Sequence, residues 1–114
     1  MRYLMLLHVD EDGFGQLAPA DLLGAMDRYR AFTETLAMAG ALVASGRLAP
    51  SAASTQIRTV GGRTVTMDGP YAETKEQVGG FYLIEADSRE AALALAGQCP
   101  AVGHGVVELR ELQA

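Results

Sequence analysis

The chain opens on RYLMLLHVD, residues 2–10, in which Tyr3, Met5, Leu7 and Val9 fall on one side of an extended backbone and Leu4, Leu6 and His8 on the other. The turn-rich DEDGFG bounds this run, so it reads as a strand with two apolar faces, each needing cover. From Pro19 the period lengthens: Leu22, Met26, Tyr29, Phe32 or Thr33, Leu36 and Ala39 recur at helical spacing and form one apolar stripe over residues 19–39. The ends agree with a helix. Pro19 suits its first position, Asp21 complements the positive end of its dipole, and Gly40 stands where a left-handed residue stops it.

ALVASGRL, residues 41–48, predicts a second strand, and the Pro50 and small residues after it predict a loop. TQIRTVGGRTVTM then places two β-branched runs around Gly61 and Gly62, a pair that accepts positive φ at both positions of a type I′ hairpin. Asp68, Gly69 and Pro70 make a turn, a charged segment follows, and residues 78–86 read as a strand opened by Gly79 and Gly80. That glycine pair favours a bulge over a close approach by a ligand or another backbone. Asp87 with Glu90 resembles a capping box, the helix through Ala91, Ala92, Leu95 and Ala96 ends before Pro100, and GVVELREL closes the chain as a strand.

The order is strand, helix, strand, inserted hairpin, strand, helix, strand. It predicts an α+β fold of the ferredoxin-like split βαβ kind, one domain over residues 1–114. Two helices cover one face of such a sheet. Because the strands are apolar on both faces, the simplest cover for the other is a second copy, giving a homodimer with a barrel-like core and a cavity near the interface.

Composition narrows the function. With 114 residues, 49% hydrophobic and 20% charged, the chain suits a folded domain, and a net charge of −5 with only nine scattered Lys and Arg argues against a nucleic-acid partner. The apolar start is too short for a membrane span and the acidic residues after it replace a cleavage site, so a cytoplasmic protein without membrane association is expected. Cys99 has no disulfide partner and no basic neighbour, and reads as a small buried hydrophobe. Two distant histidines and one cysteine make no metal-ligand pattern, and no phosphate loop, dinucleotide fingerprint or nucleophile elbow occurs, so neither a metal nor a cofactor is expected.

The candidate chemistry lies in a few side chains. Asp68 is either the first residue of a structural turn or a general base at the end of the hairpin, close enough to Glu73 and Glu76 for like-charge repulsion. Glu73 and Lys75 form either a solvated turn or the rim of a pocket. On the last strand Glu108 and Arg110 share one face while Val107 and Leu109 share the other; with the latter pair under the helices, the charges either face the inter-sheet cavity, where Arg110 suits a carboxylate ligand, or form a solvent-exposed ion pair on an edge strand. His8 is a structural histidine or a second candidate base. Arg47 is a further anchor for an anion, and Tyr82 completes the ligand-binding set.

The segment DGPYAETKEQVGGFYLIE, residues 68–85, resembles the signature of the DGPF group of the YCII-related family, with Tyr71 in place of the usual Phe. The likeness extends to YLMLLH at the start, to AGALVASGRLAP, and to CPAVGHGVVELRE at the end. It implies the dimeric α+β barrel fold and bacterial relatives beside, or fused to, extracytoplasmic-function sigma factors. Three functional classes follow: a binder of a small polar or carboxylate-containing molecule in a cavity near the dimer interface, a cofactor-independent isomerase- or lyase-like enzyme with Asp68 or His8 as base and Arg110 or Arg47 holding an anionic group, or a sigma-factor accessory contacting its partner through YAETKEQ. A wider part of the superfamily is thought to use a His and Asp pair with the His on the first helix; residues 19–39 contain no His, so the pair does not carry over. Glu111 also stands where the family usually ends Arg-Pro.

Overall fold

The computed structural model describes residues 1–113. Strand β1, Arg2–Val9, is followed by a short helix α1, Glu11–Gly15, and the long helix α2, Pro19–Met38. Strand β2 is Leu42–Arg47, β3 Thr55–Val60, β4 Arg63–Asp68 and β5 Gln77–Glu85; helix α3, Arg89–Ala96, leads to the last strand β6, Val106–Glu111. β2, β5, β1 and β6 lie side by side in that order, antiparallel throughout, while β3 and β4 form a separate two-stranded sheet. This is the ferredoxin-like α+β arrangement with an inserted hairpin.

Alternation decides which face of the sheet is buried. Tyr3, Met5, Leu7 and Val9 of β1 and Tyr82 and Ile84 of β5 pack beneath Phe32 and Leu36 of α2 and Ala92 and Ala96 of α3. Val107 and Leu109 join them, so Glu108 and Arg110 take the opposite face, as the two-residue period requires. That opposite face has no helix. Leu4 and Leu6 of β1 stand beside Phe81 and Leu83 of β5, all four half-buried in the chain alone.

Several local expectations are corrected. DEDGFG is a helical turn as well as a strand end, because the Asp10 carboxylate accepts the N–H groups of Asp12 and Gly13 at 3.1 and 3.2 Å, and Glu11 and Asp12 suit the first turn. The cap of α3 is Ser88, not Asp87: its hydroxyl accepts the Ala91 N–H at 3.1 Å, and the residue a capping box would need to be acidic is that alanine. The loop after Pro50 contains one 3₁₀ turn, Ser51–Ala53.

Elsewhere the chain follows its pattern. Gly40, at φ 69°, ends α2 with the paired bonds from Ala41 N–H to Leu36 O and from Gly40 N–H to Ala37 O. Gly61 and Gly62 have φ 56° and 77° in the hairpin. The expected bulge is present: His8 pairs with Val78 and Leu7 with Gly80, leaving Gly79 unpaired where a Cβ would lie 2.6 Å from Val9 Cγ2.

The hairpin stands apart from the main sheet, its side chains exposed except for the partly covered Gln56. It stretches the radius of gyration to 16.0 Å, against about 13 Å for a compact chain of this length.

Candidate functional site

Two hollows adjoin the sheet. The first, between the helices and the sheet, encloses about 800 Å³. Its existence explains an irregularity in α2: Phe32 and Leu36 are buried, but Leu22, Tyr29 and Thr33, earlier on the same stripe, are only partly covered and Met26 is 40% exposed. These residues border the hollow. Gly80 forms part of the floor, since it points to the helix side beside Leu7 yet has no side chain. Arg47, paired with Gly80 across the strands, emerges on the same side and lines the hollow.

The lining is apolar except for a few oriented groups. Thr33 Oγ1 donates to Tyr29 O at 2.9 Å, which spends its single proton, so the Tyr82 hydroxyl is the donor in the 2.9 Å contact between Tyr82 and Thr33. The Tyr82 ring is held edge-on by Phe32, with centroids 5.1 Å apart. Burial pushes the Tyr82 phenol pKa up, partly offset by Thr33, and pushes that of Tyr29 well above the usual phenol range. Glu11 lines the same hollow, but its carboxylate is occupied by Ser51, accepting the backbone N–H at 2.8 Å and the hydroxyl at 2.7 Å. Arg47 makes no ion pair among the described residues.

The second hollow is a polar cleft of about 1090 Å³ at one end of the helix-free face. His8, Val78 and Glu108 enter it from the sheet, Tyr71 and Lys75 from the charged segment, and His104 from the turn before β6. His8 Nε2 lies 3.0 Å from Glu108 Oε1, a neighbour fixed by the register of Leu6 with Glu108 and His8 with Val106. Three basic side chains, His8, Lys75 and His104, face three carboxylates, Asp10, Glu76 and Glu108.

The candidate residues therefore divide. Arg47 and Tyr82 line the helix–sheet cavity, while His8, Lys75 and Glu108 line the cleft. Asp68, Glu73 and Arg110 line neither. Asp68 ends β4, its carboxylate accepting from Thr55 Oγ1 at 3.3 Å; Gly69, at φ 105°, donates its N–H to Ser54 O, and Gln56 donates to the carbonyls of Gly69 and Pro70. In the charged segment Gln77 Nε2 ties the carbonyls of Ala72 and Thr74 at 2.9 and 3.1 Å. Arg110 lies on the helix-free face beside Leu4. Burial raises the Cys99 thiol pKa, which leaves it protonated and inert. No group of three metal-ligating side chains gathers among the described residues.

Tyr29, Thr33 and His104 were absent from the expected set. Tyr29 carried a signal in the sequence, being a hydroxyl-bearing ring on an otherwise apolar stripe. His104 carried none, because its contact with Tyr29 spans 75 residues.

A four-stranded antiparallel sheet with helices on one face and a hollow beneath the first long helix defines an α+β protein of ferredoxin-like type. The chain belongs to the YCII-related family, whose domain matches residues 1–113. It is 38% identical over 96 residues to the uncharacterised protein R00369 of Rhizobium meliloti (strain 1021), spanning 84% of this chain and 77% of that protein. Its fold is similar to that of 5-chloro-2-hydroxyhydroquinone dehydrochlorinase (TftG) from Burkholderia phenoliruptrix AC1100, solved in complex with 2,5-dihydroxybenzoquinone. That likeness covers 99% of this chain and 94% of the other at a TM-score of 0.56, and with 13% identity it is one of fold alone.

Proposed function

We propose that this protein binds a small, largely apolar molecule carrying a carboxylate in the cavity between α2 and the sheet, with Arg47 receiving the anion. The observation that carries this reading is the exposed Arg47 guanidinium, in no ion pair among the described residues, on the wall of an apolar hollow of about 800 Å³, within the usual range of ligand pockets. A guanidinium so placed favours a carboxylate, which it grips through two parallel hydrogen bonds. The dehydrochlorinase of similar fold was solved with an oxygenated six-membered ring, 2,5-dihydroxybenzoquinone. Two copies of the chain pair through their helix-free faces, each covering the other's Leu4, Leu6, Phe81 and Leu83, which places the polar cleft near the interface.

Calorimetric titration with naphthoate and with uncharged naphthol tests the binding reading. Naphthoate binds the wild type, and Arg47→Gln weakens it about 10- to 100-fold, the worth of a hydrogen bond to a charged group, while naphthol binding is unchanged. Equal naphthoate affinity in wild type and Arg47→Gln overturns the assignment.

The contact between His8 and Glu108 favours a second reading, proton transfer in the cleft with His8 as base and Glu108 orienting its ring. Asp68 lines neither hollow, so the base role falls to His8.

A further inference from the structure

The two hollows share a wall. His104 lines the polar cleft and Tyr29 lines the helix–sheet cavity, and Tyr29 Oη lies 2.8 Å from His104 Nε2. Phe14 meets the imidazole edge-on, with centroids 5.2 Å apart, and so restrains the plane of the ring. His104 is exposed, so protons reach it from solvent.

We propose that Tyr29 and His104 form a reversible switch through which the charge of the cleft sets whether the cavity offers its ligand a phenol donor. The inference rests on the binding reading above and adds a coupling to it. In the neutral tautomer that carries its proton on Nδ1, Nε2 has a lone pair and Tyr29 donates to it. The phenol then shows the cavity only lone pairs. Tyr82 is in the same condition, its proton directed at Thr33. Arg47 and Ser45 are then the donors left near a bound carboxylate.

Protonation reverses the wall. A proton from water adds to Nε2, the imidazolium donates to Tyr29 Oη, and the phenol O–H rotates about its C–O bond toward the cavity. No bond to carbon changes. An acceptor oxygen in the cavity gains one hydrogen bond, and by reciprocity a ligand with such an oxygen favours the imidazolium. Across the cleft, the charged or titratable side chains that face the imidazole are Asp10, Glu76, Glu108, His8 and Lys75. Around the phenol the titratable neighbours are Cys99, Tyr82 and Arg28. Tyr29 keeps its proton through the whole range, because burial raises its pKa. An anion entering the cleft would therefore tighten binding in the other cavity.

Two readouts test the switch. In the ligand-free protein, a pH titration by NMR follows the His104 imidazole nitrogens and the Tyr29 ring carbon bearing oxygen. Both are expected to move with one midpoint, and a Tyr29 signal indifferent to His104 overturns the proposal. Naphthoate titrated calorimetrically across about pH 5 to 8 is expected to bind about fivefold tighter with His104 protonated, the worth of one neutral hydrogen bond. Tyr29→Phe removes that gain, and His8→Asn retains it. If naphthoate binds with an affinity independent of His104, the switch fails and the binding reading stands. If naphthoate does not bind at any pH, the binding reading fails and the NMR titration alone decides the switch.

Discussion

Leu6→Asp is the sharpest perturbation of the helix-free face. Leu4, Leu6, Phe81 and Leu83 are half-buried in the single chain, flanked by Val78 and Val106. Full burial of a Leu or Phe is worth about 1.5–3 kcal/mol, so covering the remaining half gains about 1 kcal/mol for each. Four such residues on each of two copies give about 8 kcal/mol, the free energy of a micromolar complex. The flanking valines set their own burial against the cost of association. Aspartate at position 6 removes the central contact from both copies and, between Phe81 and Glu108, adds charges that pairing would bury. The expected loss is several kcal/mol, at least a hundredfold in the dimer constant. In the monomer the same residue meets water, so the fold survives. Sedimentation equilibrium with circular dichroism separates these effects. A wild type that stays monomeric at about 100 μM, or a Leu6→Asp variant that still pairs as tightly, refutes the reasoning.

Other expected outcomes concern the chain itself. Gly105→Ala aims a Cβ at the carbonyl oxygen of His8 on the central strand and costs about 3 kcal/mol, read as a melting temperature lowered by roughly 10 °C; a variant melting with the wild type would show that the backbone there yields freely. Ser88→Ala removes the α3 cap and costs about 1 kcal/mol in denaturant unfolding, whereas Asp87→Ala changes stability by much less. Tyr29 and Tyr82 have phenol pKa values raised by burial, so their contribution is complete below about pH 10, where the unfolded phenols ionise, and is lost as pH rises toward the folded values. Alkaline unfolding followed by tyrosinate absorbance is expected to flatten in the Tyr29→Phe, Tyr82→Phe double variant, and an unchanged alkaline limb contradicts this.

Much of the architecture was legible because it depends on short-range periodicity. Alternation in β1 separated Met5 from Leu6, and the same rule put Glu108 and Arg110 opposite Val107 and Leu109. The Gly-Gly hairpin and the Gly40 stop followed from backbone sterics at single positions. The hollows were not legible. A stripe of apolar residues announces that α2 packs on the sheet, but not that Leu22, Met26 and Tyr29 border a hollow while Phe32 and Leu36 are buried. The hollow depends on contacts distant in sequence, such as the tie from Glu11 of α1, a turn stabilised by Asp10, to Ser51 forty residues away. The site residues suffered most from this. Arg47 and Tyr82 were paired in expectation with Arg110 and Glu108, yet strand direction sends the first two to the helix side and the last two to the other. The charged segment looked like a rim by composition; Lys75 does line the cleft, whereas Glu73 and Asp68 do not.

A carboxylate-bearing ligand is expected in the cavity between α2 and the sheet, with its anion at Arg47. Intermolecular nuclear Overhauser effects from naphthoate to the protein measure this directly. Contacts to Phe14, Met26, Tyr29 and Tyr82, with the Arg47 guanidinium signals shifted, are the expected result. Contacts confined to His8, Val78 and Val106, or to the hairpin, with Arg47 unmoved, would contradict it.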